Sequence, residues 1–174
     1  MHRELTYKYI ADTLTNNIEN DLDKIKVLNA FIHINYNQPS KVPVIDNTVF
    51  FDLLRNIGWC DQEGNAMMHL AEKLKIKSNI LYFSRHSMSE VFIDNDYKVF
   101  DPHKNAYFIY KDNHSRIANV SELINESHII VMNNMTEMHN YIFNFSSHQR
   151  MWRSPRLLET KKINRKILDR KSVV

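Results

Sequence analysis

One cysteine, two glycines and four prolines in 174 residues remove whole classes of function before any motif is sought. A lone thiol cannot close an internal disulfide or build a multi-cysteine zinc site, so the fold does not depend on an oxidising compartment. Two glycines leave no glycine-rich phosphate loop and no collagen-like repeat, and nucleotide binding through a P-loop is not expected. The nine histidines form no His-Glu-x-x-His pattern, and no metal is implied. No apolar run has the length of a membrane span, and Met1-His2-Arg3-Glu4-Leu5-Thr6 has no apolar signal core. A cytoplasmic location is the expectation.

What is present suits one folded domain: 43% hydrophobic and 25% charged residues, enough apolar material for a core. Charge is uneven. From Arg150 onward nine lysines and arginines stand against Glu159 and Asp169, a local +7 that leaves −4 for the 149 residues before it. We expect a single domain over residues 1–149 and a basic helix or tail over 150–174, where Ser154-Pro155 opens a helix with Leu157, Leu158, Ile163 and Ile167 as a partial apolar stripe. No nucleic-acid-binding motif accompanies the basic face, so it reads as solvated, and nucleic acid is not an expected partner.

Apolar spacing predicts a helix over residues 3–18 with Leu5, Tyr9, Ile10 and Leu14 on its packing face. A second, capped by Asp21, carries Ile25, Leu28, Phe31 and Ile32. Residues 38–43, with two prolines, read as a loop. A short helical face of Val49, Phe50, Leu53 and Leu54 then runs to Gly58, the expected left-handed cap. Strands are predicted at 78–83, in a hairpin over 86–102, at 106–110 and at 128–132, with a short helix at 120–124. Met135, Met138, Tyr141 and Phe145 read as core filler. The expected fold class is α+β, with helices packed on a small, mostly antiparallel sheet.

Cys60 opens the strongest helical pattern. Met67, Leu70, Ala71 and Leu74 fall on its side at about 100° per residue, so the thiol points toward the core or a cleft. A cysteine in the first turn meets unpaired N–H groups and the positive end of the helix dipole, which favour the thiolate; Asp61 and Glu63 oppose it. Alone, Cys60 reads more readily as a small buried hydrophobe than as a nucleophile. Trp59 is expected to fill the core, and His69, half a turn around the helix, to be a solvated surface residue.

Downstream, two strands flank Asp94-Asn95. A two-residue turn there pairs Ile93 with Asp96 and makes His86 and Asp101 diagonal neighbours about 7–8 Å apart at the backbone, within reach of imidazole and carboxylate. A three-residue loop puts them on opposite faces. His103 is a rival base, because the same register sets it opposite His86. A thiol at a helix start, a histidine to take its proton and a carboxylate to orient that histidine are the parts of an activated nucleophile.

Gly58-Trp59-Cys60, Ala66, Leu70-Ala71, Leu74-Lys75-Ile76, His86 and Asp101-Pro102 together resemble the core motif of the transglutaminase-like superfamily, best over Leu53 to Pro102. The resemblance implies a papain-like core in which the nucleophile opens a helix and the histidine and aspartate lie on adjacent strands. It assigns Cys60 as nucleophile, His86 as base and Asp101 as orienter, and favours His86 over His103. The implied activity is thiol-dependent acyl transfer or hydrolysis at an amide or ester through a Cys60 acyl-enzyme. Proteins and peptides fall within the implied substrate class, and no cofactor is needed. Arylamine N-acetyltransferases, in the same broad superfamily, have a similar triad. The reading from another class is a non-catalytic transglutaminase-like domain that binds a partner, with Cys60 buried and the basic tail adding contacts.

Overall fold

The computed structural model describes residues 2–36, 53–82, 86–125 and 130–133 and the backbone of 152–154. In chain order these form α1 (His2–Thr15), α2 (Asp21–Asn35), α3 (Cys60–Lys73), β1 (Ser78–Tyr82), β2 (Ser87–Ile93) and β3 (Asp96–Asp101). A 3-10 turn (Pro102–Lys104) follows, then β4 (Ala106–Tyr110), α4 (Val120–Asn125), β5 (Ile130–Met132) and β6 (Trp152–Ser154). The strands make one antiparallel sheet in the order β5-β4-β3-β2-β1-β6, so the fold is α+β.

Local chemistry sets the elements. Asn20, one residue before the expected Asp21, caps α2 by accepting the Asp23 N–H at 3.2 Å. Asp94 and Asn95 both sit in the left-handed region, at φ 53° and 61°. That is the backbone of a two-residue turn whose twist matches its flanking strands, and these two residue types tolerate it better than most. The register is therefore Ile93 opposite Asp96 through Ser89 opposite Phe100. The three-residue alternative does not occur.

The sheet is covered on both faces. Tyr7, Ile25, Leu28, Met67 and Leu70 of α1 to α3 form one core with Val91 and Phe100. On the other face Met88, Val99 and Phe108 pack with Val120 and Leu123 of α4. Full burial of each large side chain contributes roughly 1.5–3 kcal/mol. α1 turns a different face inward from the one its spacing suggested: Tyr7 and Ala11 are buried, while Leu5 and Tyr9 are 58% and 71% exposed. The Tyr7 ring stacks on His69 of α3, and that contact sets the helix's rotation.

Residues Trp152–Ser154, inside the basic segment, pair antiparallel with β1 from Tyr82–Trp152 to Ile80–Ser154. The helix expected from Ser154-Pro155 onward, the loop at 38–43, Val49, Phe50 and the methionine-rich run lie outside the described residues.

Candidate active site

Three elements converge at the N-terminal end of α3. The chain enters through Gly58, whose φ is not positive; the left-handed residue is Asn56, at φ 55°. Gly58 is needed instead for space, since a Cβ there would lie 2.3 Å from Tyr36 Cδ1. Tyr36, at the end of α2, thereby fixes how closely α2 and the entry to α3 approach. Trp59 follows in extended conformation, and its N–H donates to Gln62 Oε1 at 2.9 Å, closing the first turn. Its indole is 42% exposed, not in the core. As the residue before the helix it projects outward, while the apolar stripe of α3 begins one turn later. Cys60, the first helical residue, is a half-buried free thiol.

The ladder between β2 and β3 ends at Ser89–Phe100, and just beyond it His86 and Asp101 meet. His86 Nε2 lies 2.8 Å from Asp101 Oδ2, with the carboxylate fully buried and the imidazole 18% exposed. The second oxygen, Oδ1, accepts the Lys104 N–H at 3.3 Å, so Asp101 also caps the 3-10 turn. A carboxylate held at both oxygens is fixed in rotation. Nε2 donates to it, and the Cys60 thiol is the imidazole's other side-chain neighbour. Burial pushes the His86 pKa down, but the hydrogen bonds to Asp101 and Cys60 and the charge of both outweigh it, and the pKa rises to about 9. Chemically, the arrangement sets a proton acceptor beside the thiol.

His103, the rival base, also comes to this end of α3, with its ring centroid 5.8 Å from that of His86. Its Nδ1 is committed elsewhere, donating to Glu63 Oε2 at 2.9 Å. Glu63 is 2% exposed, so the first turn of α3 holds a buried carboxylate. The spacing Cys60 to Glu63, one helical turn, was the available signal; which residue it met was not in the sequence.

Tyr82 ends β1, within the strand predicted at 78–83. Its pKa is pushed up to about 12, chiefly by burial and then by the charges of Asp61 and Cys60, although an Asn65 hydrogen bond lowers it. The result is a neutral hydroxyl near the thiol. His69, expected to be solvated, is largely buried against Tyr7, and burial lowers its pKa despite Glu4 and Glu72 nearby. Among the described residues no group of three histidine, cysteine or acidic side chains is placed to hold a metal, and no helix is long and apolar enough to cross a membrane.

Neither a family model nor a curated protein matches the chain. Among the solved structures similar to it are the following two. One is a "putative cysteine protease" from Cytophaga hutchinsonii, with TM-score 0.52 and 17% identity over 58% of this chain and 38% of that one. The other is a "putative protease" from Parabacteroides distasonis, with TM-score 0.46 and 12% identity over 55% of this chain and 23% of that one. The chain thus aligns with well under half the length of either protein, and the first likeness is one of fold.

Proposed function

We propose that the protein is a transglutaminase-like thiol enzyme that hydrolyses or transfers an acyl group at an amide or ester, with Cys60 as nucleophile, His86 as base and Asp101 as orienter. The observation that carries this is His86 standing between a fully buried Asp101 and the Cys60 thiol. The fold likeness to the Cytophaga hutchinsonii protein supports hydrolysis, with a peptide as substrate.

In this reading His86 Nδ1 takes the thiol proton and the thiolate attacks the carbonyl carbon. Asp101 holds the ring in place and stabilises the imidazolium. The oxyanion meets N–H groups of the first turn of α3, with the Tyr82 hydroxyl close by. Collapse breaks the bond to the amine or alcohol, which leaves with the proton from His86, and a Cys60 thioester remains. His86 then takes a proton from water or an amine, that acceptor attacks the thioester, and the thiol is regenerated.

The test is the rate of Cys60 alkylation by iodoacetamide against pH, beside His86→Ala and Asp101→Asn, followed by mass spectrometry of protein treated with activated peptide esters. Fast native alkylation near neutral pH that His86→Ala slows, with a trapped thioester, is expected. A thiol that reacts only on unfolding sinks the enzymatic reading and leaves a binding domain.

A further inference from the structure

Two bridges join the same two pieces of chain. One runs from Cys60 on α3 through His86 to Asp101, which caps the 3-10 turn. The other runs from Glu63, one helical turn further along α3, to His103 inside that turn. Glu63 Oε2 and His103 Nδ1 are 2.9 Å apart, with side chains only 3% and 14% exposed, so this bridge is shielded from water and its loss would be felt locally. α2 holds the turn from behind: His33 Nδ1 donates to the His103 carbonyl at 3.1 Å, and Asn29 Nδ2 to Asn105 Oδ1 at 3.1 Å. With its back fixed to α2, the turn's spacing from α3 is left to the contacts facing α3.

We propose that Glu63 and His103 are positioning residues that set the distance between Cys60 and the His86–Asp101 pair by tying the Asp101-bearing turn to the first turn of α3. The inference rests on the thiol-enzyme reading for its purpose but not for its geometry. Asp101 and Cys60 act on His86 and His103 lies beside it, while Glu63 holds His103, His33 holds the turn, and the charges of Asp61 and Cys60 reach Tyr82. A glutamine at position 63 keeps an acceptor of the same shape for His103.

The experiment uses the full chain and three variants, Glu63→Gln, Glu63→Ala and the double replacement Glu63→Leu with His103→Leu. Thermal unfolding gates each one. The double variant removes donor and acceptor together and so strands no buried charge, which keeps a folded, unbraced protein in hand if Glu63→Ala does not fold. Two readouts are taken: the His86 imidazole titration by NMR and iodoacetamide alkylation of Cys60. In the unbraced variants the His86 midpoint falls from about 9 toward 6.5, because looser contacts to Asp101 and Cys60 leave burial unopposed. Alkylation near neutral pH falls about tenfold or more, as expected when a general base is misplaced. Glu63→Gln, which still accepts from His103, keeps both readouts close to the parent values. An unchanged His86 midpoint in a folded unbraced variant overturns the proposal, as does a Glu63→Gln protein that behaves like the unbraced ones. If the parent thiol proves unreactive, the enzymatic reading fails while the NMR titration still decides the brace.

Discussion

The two ends of α3 each bury a histidine, and they leave it in opposite electrostatic states. At the N-terminal end His86 shares its site with the fully buried Asp101, and its pKa rises to about 9. At the C-terminal end His69 stacks on Tyr7 at 5.0 Å, and burial pushes its pKa down. Charge is not lacking there, because Glu4 and Glu72 both favour the protonated ring and Glu4 pairs with Lys73. Those carboxylates are near the surface, where water screens them, whereas Asp101 is dry and in direct hydrogen-bond contact. The lesson is that a histidine's charge in a protein follows whether its counter-charge is buried with it.

The most forceful way to break this contrast is to remove each imidazole. In the enzymatic reading His86→Ala slows acylation of Cys60 by an activated ester about 100-fold or more near neutral pH, the scale of a lost general base. His69→Ala leaves that rate within about twofold, since His69 lies on the far part of the helix. Equal effects from the two would dissolve the distinction.

Stability against pH sharpens it further. The His86 pKa is higher in the folded chain than its ordinary 6.5. Its contribution is therefore fully present below about pH 6.5 and is lost as pH rises through about 9, worth on the order of 3 kcal/mol. Urea unfolding across that window should show the decline in the parent and a flatter profile in His86→Gln.

Glycine replacements compare the entry to α3 with its interior. Gly58→Ala drives a Cβ to 2.3 Å from the Tyr36 ring and should destabilise by roughly 1–3 kcal/mol. Gly64→Ala meets nothing closer than Ile80 Cγ2 at 3.5 Å and should be neutral or stabilising by up to about 1 kcal/mol. Denaturant midpoints measured side by side check the opposite signs.

The smallest effect belongs to His69. Its folded pKa lies below the ordinary 6.5, so its burial costs nothing above that pH and erodes stability as pH falls below it. His69→Phe should flatten the acid side of the stability profile, and a parent profile already flat there would contradict the burial argument.

Much of this architecture was legible from periodicity and turn chemistry. α2, the helix opened by Cys60, the hairpin with its Asp94-Asn95 turn and the strand at Ala106–Tyr110 all stand where alternation and helical spacing placed them. The juxtaposition of His86 and Asp101 was one of two outcomes left open by the sequence, and the two-residue turn with its register settles it. Errors arose where a partner distant in sequence chose between faces. Leu5 and Tyr9 lost the packing face of α1 to Tyr7 and Ala11, Trp59 turned outward, and His69 turned inward onto Tyr7. Gly58 was read as a left-handed cap, but it serves the Tyr36 ring, and no local signal announces a neighbour 22 positions away.

By itself, then, the sequence determined a lone thiol at the start of a helix, a hairpin that brings a histidine beside an aspartate when its turn has two residues, and an α+β order of elements. These follow from short-range rules: capping, period and turn geometry act within a few residues. Only the tertiary structure decided that Asp101 is fully buried, that His103 is taken by Glu63 and that Tyr82 stands near Cys60. Burial and partner choice depend on which elements pack together, and packing is a property of the whole chain.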